Sequence, residues 1–274
     1  MYRLLSIELF KLKHSRSAKI LTIIYFILFG FTALFASINF DFGSINFRIA
    51  DQGIFNFPYI WHFNTYMVSL LKILLAIVII SMLTSEYTNR TIKQNLIDGL
   101  SKKEFILSKF YTLVVLAFAS TLLVFLVSLV LGYIFSDFNE IDIVFSELEY
   151  IFAYFIKLVS FFSLCMFLAL LVRKSAFALG FLFLVYLAES IFTGIIKFQA
   201  EELIFLTDYF PLNSMGNLIV EPFTRLGIVK AATAQINPNY AKDYSVHFIT
   251  LIIPILWTVI FVFGSLQLLK KRDL

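Results

Sequence analysis

The sequence predicts an all-α fold: a polytopic membrane protein with six transmembrane helices, an amphipathic amino-terminal interface helix and a cytoplasmic elbow between spans two and three. Of the 274 residues, 60% are hydrophobic and only 15% are charged, an apolar share above that of soluble domains. A spanning helix needs about 20 mainly apolar residues, and stretches of this kind fill most of the chain. We therefore expect one transmembrane domain over residues 1–274, without a separate soluble catalytic domain.

The expected spans follow from hydropathy. They lie at residues 18–38, 64–84, 109–135, 150–172, 176–198 and 247–269. The basic segment before the first span resembles a signal peptide, but it lacks a clear small-residue cleavage site and further spans follow it. We therefore expect the first span to be retained.

Lysine and arginine predict the orientation, because cytoplasmic loops are enriched in both. The basic residues of the amino end, of the loops after spans two and four, and of the tail are Arg3, Lys11, Lys13, Arg16, Lys19, Arg90, Lys93, Lys102, Lys103, Lys109, Arg173, Lys174, Lys270, Lys271 and Arg272. The loop after span three is acidic and holds no basic residue. We expect both termini in the cytoplasm, and this topology explains the net charge of +4 without a nucleic-acid partner.

The amino-terminal segment, residues 1–17, has the pattern of an interface helix. Leu5, Leu9 and Leu12 recur at helical spacing, with basic residues distributed elsewhere. Such a helix lies flat in the cytoplasmic interface before the first span enters the bilayer.

Two segments are expected on the outer side. In the first, Ser-Ile-Asn-Phe occurs twice around Gly43, which favours a small β-hairpin. In the second, residues 199–246, three prolines interrupt a segment too apolar for a fully solvated loop. We expect part of it to re-enter the outer leaflet.

The cytoplasmic loop at residues 85–108 predicts an elbow made of a short helix, a break and a new helix. Ile92 and Leu96 share one helical face, and Gly99 is a natural carboxyl-terminal cap. Ser101 and Glu104 form a capping-box pattern that opens the helix leading into span three. An ordinary connector between two helices is the alternative interpretation.

The segment from Glu86 to Lys109 also resembles the corresponding loop of type 2 ABC exporter permeases. Matching positions are Glu86, Thr91, Leu96, Ser101, Lys102 and Lys109, whereas Arg90 stands where that family usually has glycine. The similarity extends to the whole layout, including six spans, the large outer segment with Pro-Leu-Asn at 211–213 and the basic tail.

This resemblance implies a permease of the bacterial inner membrane. Two permease subunits, identical or related, would pair in the lipid bilayer and be driven by two separate ATPase subunits that bind ATP and Mg. The residues implied in coupling to the ATPase are Glu86, Thr91, Ile92, Leu96, Gly99, Ser101 and Lys102. The chain itself contains no Gly-x-x-x-x-Gly-Lys-Ser/Thr loop, so we expect it to bind no cofactor and to hydrolyse no ATP.

Three ionisable residues, Lys72, Lys157 and Glu189, fall inside predicted spans. Each unpaired charge there costs at least about 2.5–3.5 kcal/mol, and the three share roughly one depth. The geometry allows Glu189 to pair with one of the lysines. Such a pair would be either a structural ion pair between spans or part of the substrate path. Pro254 in span six predicts a bend.

Two other classes of protein stay open. A secondary transporter or channel independent of ATP is favoured by the intramembrane charges. A membrane-embedded enzyme would need a nucleophile with a base or a metal set, whereas Cys165 and the three histidines are scattered. We therefore expect no catalytic or metal-binding residues, and the sequence does not name the transported substrate.

Overall fold

The chain forms a bundle of long helices. The computed structural model describes residues 2–36, 39–42, 45–48, 53–225 and 242–271. In this part the α-helices are α1 Tyr2–His14, α2 Arg16–Ala36, α3 Tyr59–Leu70, α4 Lys72–Thr88, α5 Thr91–Ile97, α6 Lys102–Phe135, α7 Ile141–Val144, α8 Glu149–Val172, α9 Ser175–Gln199, α10 Pro211–Asn217 and α11 Phe248–Lys271. Short 3-10 helices occupy Glu201–Tyr209 and Phe223–Arg225, and strands β1 Asn39–Phe42 and β2 Ile45–Arg48 form one hairpin. The all-α prediction is confirmed apart from this hairpin.

Within the described residues, four segments are long and apolar enough to cross a membrane. They are α6, the segment 141–172 that contains α7 and α8, then α9, and finally α11. The pair α3 and α4 would make a fifth span if its two bent halves cross together. The first predicted span, 18–38, overlaps α2, but residues 37 and 38 and the side chains of 32–36 lie outside the described part. The count of six therefore stays a prediction.

The second predicted span, 64–84, covers parts of α3 and α4, and its crossing of a membrane as one span stays a prediction. The chain bends by 45° between α3 and α4. At the break, the amide of Leu71 donates to the carbonyl of Val68, and the amide of Leu74 donates to that of Leu71, so the bonding locally tightens to three-residue spacing. The hydroxyl of Ser69 also bonds to a carbonyl of the preceding turn, a contact that bends helices.

The amino-terminal helix is shorter than the predicted segment 1–17. α1 ends at His14, and Ser15 starts α2 by accepting a hydrogen bond from the amide of Ala18 on its hydroxyl. Serine at this position satisfies an amide that the first turn leaves without a partner. The polypeptide therefore turns at Ser15 between two helices.

α8 is the centre of the bundle, whereas α9 lies at its edge. In the apolar window of residues 141–172, 72% of the residues are buried inside the chain, against 6% for α9. α8 packs against α3, α4, α6, α9 and α11. A buried hydroxyl cluster ties it to two neighbours: the Tyr25 hydroxyl lies 2.6 Å from both Ser120 Oγ and the Tyr154 hydroxyl.

α6 is the longest helix, with 34 residues. At 1.5 Å per residue it is about 51 Å long, against about 30 Å for the hydrocarbon core of a bilayer. Close packing near its far end depends on Gly132, where an added Cβ would lie only 2.1 Å from the ring of Phe57. The predicted span 109–135 is thus the larger part of a helix that begins seven residues earlier.

The two segments predicted on the outer side are folded in their described parts. The predicted hairpin is confirmed, with Asn39 opposite Arg48 and Phe42 opposite Ile45 in antiparallel register; residues 43 and 44 lie outside the described part. In the segment 199–246, α10 packs against α8, α9 and α11, while residues 226–241 lie outside the description.

Candidate functional site

The elbow predicted between spans two and three is confirmed in its local structure. α5 covers Thr91–Ile97, and Gly99 has φ of +97°, a left-handed conformation that glycine adopts without strain. Ser101 caps α6: its hydroxyl accepts from the Glu104 amide at 3.2 Å, and its own amide donates to Glu104 Oε2 at 3.0 Å. The reciprocal capping box therefore fixes the turn between α5 and α6.

Arg90 begins the elbow in a strained conformation. Its φ of +55° and ψ of +18° are left-handed, a region that costs a side chain with a Cβ roughly 1–2 kcal/mol. This is the position where the resembling permeases usually have glycine. The hydroxyl of Thr91 next to it donates to the carbonyl of Glu86 at 3.3 Å, which closes the turn onto α4.

The two faces of α5 have different partners. Ile92, which is 2% exposed, and Leu96 pack onto the hydrophobic core of the chain itself. Ile97 is 75% exposed, with the exposed side chains of Lys93 and Gln94 nearby on the helix. The sequence pattern identified the inner face of α5 and missed Ile97, whose position one residue after Leu96 turns it about 100° away from that face.

A cluster of four charged residues, three of them buried, lies beneath the elbow. The Lys109 ammonium, with a fully buried side chain, donates to both Glu8 and Glu86. Lys11 bonds to the same two carboxylates, at 2.8 Å to Glu8 and 2.9 Å to Glu86. Two carboxylates and two ammonium groups give no net charge, which favours burial. The cluster joins α1, the end of α4 and α6 in one polar contact.

The pKa of Glu8 reflects this environment. Burial alone would raise the pKa of its carboxyl, but the ammonium groups of Lys109 and Lys11 outweigh burial and lower the pKa below its ordinary value. For Lys11, burial would lower the pKa, yet Glu8 and Glu86 raise it. Both groups are therefore held in their charged forms.

Glu86 and Lys102 have different places from the rest of the predicted coupling set. Glu86 is only 5% exposed, so it supports the elbow from below and is not part of its outer surface. The ammonium of Lys102 donates to the carbonyl of Lys270 at 3.3 Å, which joins the start of α6 to the end of α11.

Of the three ionisable residues predicted inside spans, Glu189 and Lys157 lie at α10 and Lys72 lies elsewhere. The Glu189 carboxylate accepts from the amides of Leu212 and Asn213, at 2.9 to 3.1 Å, in the first turn of that helix. Lys157 lies near the other end, 3.5 Å from the carbonyl of Gly216. Lys72 instead lies over the ring of Phe161 on α8, 4.5 Å from its centroid. Among the described residues, Glu189 pairs with neither lysine.

A second polar network closes the opposite end of the bundle and was not predicted. Arg225 makes a two-pronged ion pair with Glu147, at 3.0 and 3.1 Å, and also contacts His62 at 3.2 Å. Its guanidinium lies over the rings of Tyr59 and Tyr244. Residues separated by up to 163 positions form these contacts, so no local motif could have indicated them.

These features define a class of protein: an all-α chain whose long apolar helices suit a membrane, with a capped, charged elbow at one end. The chain belongs to the family described as protein of unknown function DUF2705, whose model matches residues 23–274. α1, which supplies Glu8 and Lys11, precedes the matched region. No curated protein sequence matches the chain in a sequence comparison.

Proposed function

We propose that this chain is the membrane-spanning permease subunit of an ATP-binding-cassette exporter in a bacterial inner membrane. In this proposal it crosses the bilayer six times with both termini in the cytoplasm. A second permease subunit completes the translocation path, and two separate ATPase subunits bind ATP and Mg. The observation that carries the proposal is the elbow: a short helix, α5, that exposes an isoleucine, packs against α4 and is followed by the capped start of α6.

The exposed face of α5 is the proposed contact with the ATPase. Ile97 projects an apolar side chain that is 75% exposed, beside the charged Lys93 and Asp98. An apolar anchor with a polar rim is the usual anatomy of a binding hot spot. Ile92 and Leu96 hold another face of α5 to the core of the permease, so a push on Ile97 would be transmitted to α4, against which α5 packs.

α9 is the proposed contact with the second permease subunit. Only 6% of its apolar window is buried within the chain, although it carries a continuous apolar surface that includes Phe183, Leu184 and Ile191. In a single copy this face meets only lipid, whereas a paired subunit would cover part of it.

Co-purification with an ATPase tests the proposal. The tagged chain is purified from its native host in mild detergent, and an ATPase with a phosphate-binding loop is sought by mass spectrometry. We expect Ile97→Asp to reduce recovery of that ATPase at least tenfold, because it places a charge in an apolar contact.

Ile141→Asp is the matched control, since Ile141 is also an exposed isoleucine, at 71%, but lies beyond the other end of α6. It should leave recovery of the ATPase unchanged. Purification without any such ATPase, or transport by the reconstituted chain alone, would contradict the proposal and favour a channel or secondary transporter.

A further inference from the structure

A groove of about 390 Å³ lies where the amino-terminal helix meets the bundle. It is bounded by α1, α2, α4 and α6, and we call it the α1–α2 groove. Twelve residues line it: ten, among them Thr22, Ile23, Phe26 and Ala119, are apolar or carry only a hydroxyl, and the other two are Lys13 and Lys19. The groove is therefore an apolar slot with two cations.

The two lysines at the α1–α2 groove differ from the neighbouring Lys11 in their partners. Lys13 and Lys19 are exposed, and neither forms an ion pair within the residues that the structure describes. Lys11, in the same short stretch, is by contrast bonded to Glu8 and Glu86. In the described part of the chain, two positive charges without an ion-pair partner therefore lie beside an apolar slot, at the turn between α1 and α2.

The size of the groove distinguishes among occupants. A helix is about 10 Å across, so a volume of 390 Å³ would be filled by roughly one of its turns. The groove has room for only part of a helix, and the two lysines beside it favour an anionic occupant over the apolar face of a second copy. It lies within the range of small-molecule sites, about 300–1,000 Å³, and an extended acyl chain is thin enough to enter.

We propose that the α1–α2 groove binds an anionic phospholipid of the cytoplasmic leaflet. One acyl chain lies against Thr22, Phe26 and Leu116, and the phosphate of the headgroup meets the ammonium groups of Lys13 and Lys19. Basic pockets between helices on the cytoplasmic side are suited to anionic headgroups. The inference rests on the membrane orientation proposed above, and it does not depend on an ATPase.

Photochemical labelling in nanodiscs tests this site. The intact chain is reconstituted in phosphatidylcholine with a trace of phosphatidylglycerol that carries a photoreactive group on one acyl chain. A phosphatidylcholine with the same photoreactive chain is the neutral probe. We expect phosphatidylglycerol to label residues 22–26 and 115–119 roughly thirtyfold more than the neutral probe at low salt, about fivefold for each lysine.

Variants separate charge from shape. The double variant Lys13→Gln with Lys19→Gln should remove the preference for phosphatidylglycerol, whereas Lys270→Gln with Lys271→Gln, which removes two charges elsewhere, should preserve it. Ala119→Phe fills the groove without changing charge and should reduce labelling by both probes. All variants are compared at equal monodisperse yield from gel filtration.

Three results would overturn the inference. One is equal labelling of the groove by the two lipids, and another is an unchanged preference in the double lysine variant. The third is a groove that neither lipid labels, and disulfide-linked dimers from Ile23→Cys would then assign the surface to a second copy. Loss of the ATPase partner would leave the labelling unchanged, so the two proposals fail separately.

Discussion

Glu189 and Lys157 lie at opposite ends of one short helix, α10. The carboxylate of Glu189 accepts hydrogen bonds from the amides of its first turn, and the ammonium of Lys157 faces the carbonyl of Gly216 near its last turn. A helix carries partial positive charge at its amino end and partial negative charge at its carboxyl end. Each residue therefore has the sign that stabilises its end of α10, and α8 and α9 are connected through this helix.

Replacing Glu189 by glutamine should loosen α10. The amide keeps the shape of the side chain but loses the negative charge, which is worth about 1–2 kcal/mol in a partly buried position at a helix amino end. We expect faster hydrogen–deuterium exchange of residues 212–215, measured by mass spectrometry in detergent. Glu202→Gln, at an exposed acid nearby, should change nothing. Unaltered exchange with lost transport would instead place Glu189 in the substrate path.

Removing the buried ammonium of Lys109 should destabilise the protein strongly. Lys109→Met leaves Glu8 and Glu86 buried with only the half-exposed Lys11 as a partner, and breaking a buried pair in this way costs about 3–5 kcal/mol. Thermal unfolding in detergent measures the loss. Lys103→Met, at an exposed lysine in the same helix, should stay within about 0.5 kcal/mol.

A triple variant tests whether the charged residues of the cluster act as a unit. When Glu8→Gln and Glu86→Gln accompany Lys109→Met, no uncompensated buried carboxylate remains, and we expect much of the lost stability to return. Independent, additive losses in the three single variants would show that the four charges do not act as a unit.

The cluster should also make stability depend on pH. Because the pKa of folded Glu8 lies below its ordinary value of 4.5, its contribution is present above pH 4.5 and is lost as the pH falls through the folded pKa. Glu8→Gln should flatten the acid limb of the unfolding-temperature curve. Glu140→Gln, at an exposed acid, should leave that limb as steep as in the parent, and a parallel acid limb in Glu8→Gln would refute the assignment.

The capping box should keep the first turn of α6, the second half of the elbow, structurally ordered. Ser101→Ala removes the hydroxyl that accepts from the Glu104 amide, a change that costs about 0.5–2 kcal/mol. Faster exchange of the amides at residues 102–105 would report the loss. Ser85→Ala is the control, since that exposed serine bonds only to a carbonyl of its own helix; equal effects of both changes would contradict a capping role.

Local signals explain why the elbow was predictable. Gly99, Ser101 and Glu104 lie within six residues of one another. Each has a preferred conformation or partner that does not depend on residues far away in the sequence. The helix bounds followed hydropathy for the same reason: α8, α9 and α11 begin and end within two residues of the predicted spans.

The remaining features depend on distant contacts. Lys109 lies 101 positions from Glu8 and 23 from Glu86, so the cluster arises only when α1 packs against α6. Sequence reasoning placed Glu86 on the coupling surface because the family pattern is local, and it proposed a pair for Glu189 from depth alone. The bend at Leu71 lies inside an apolar run, where hydropathy does not distinguish one straight helix from two.

The length of α6 has a consequence for how distant parts of the chain are joined. The charges around Lys109 hold the helix seven residues from its start and 26 residues from its end, which divides it into arms of about 10 and 39 Å. The longer arm is held as well, because Gly132 lies against the ring of Phe57. α6 is therefore a strut fixed at two points about 35 Å apart.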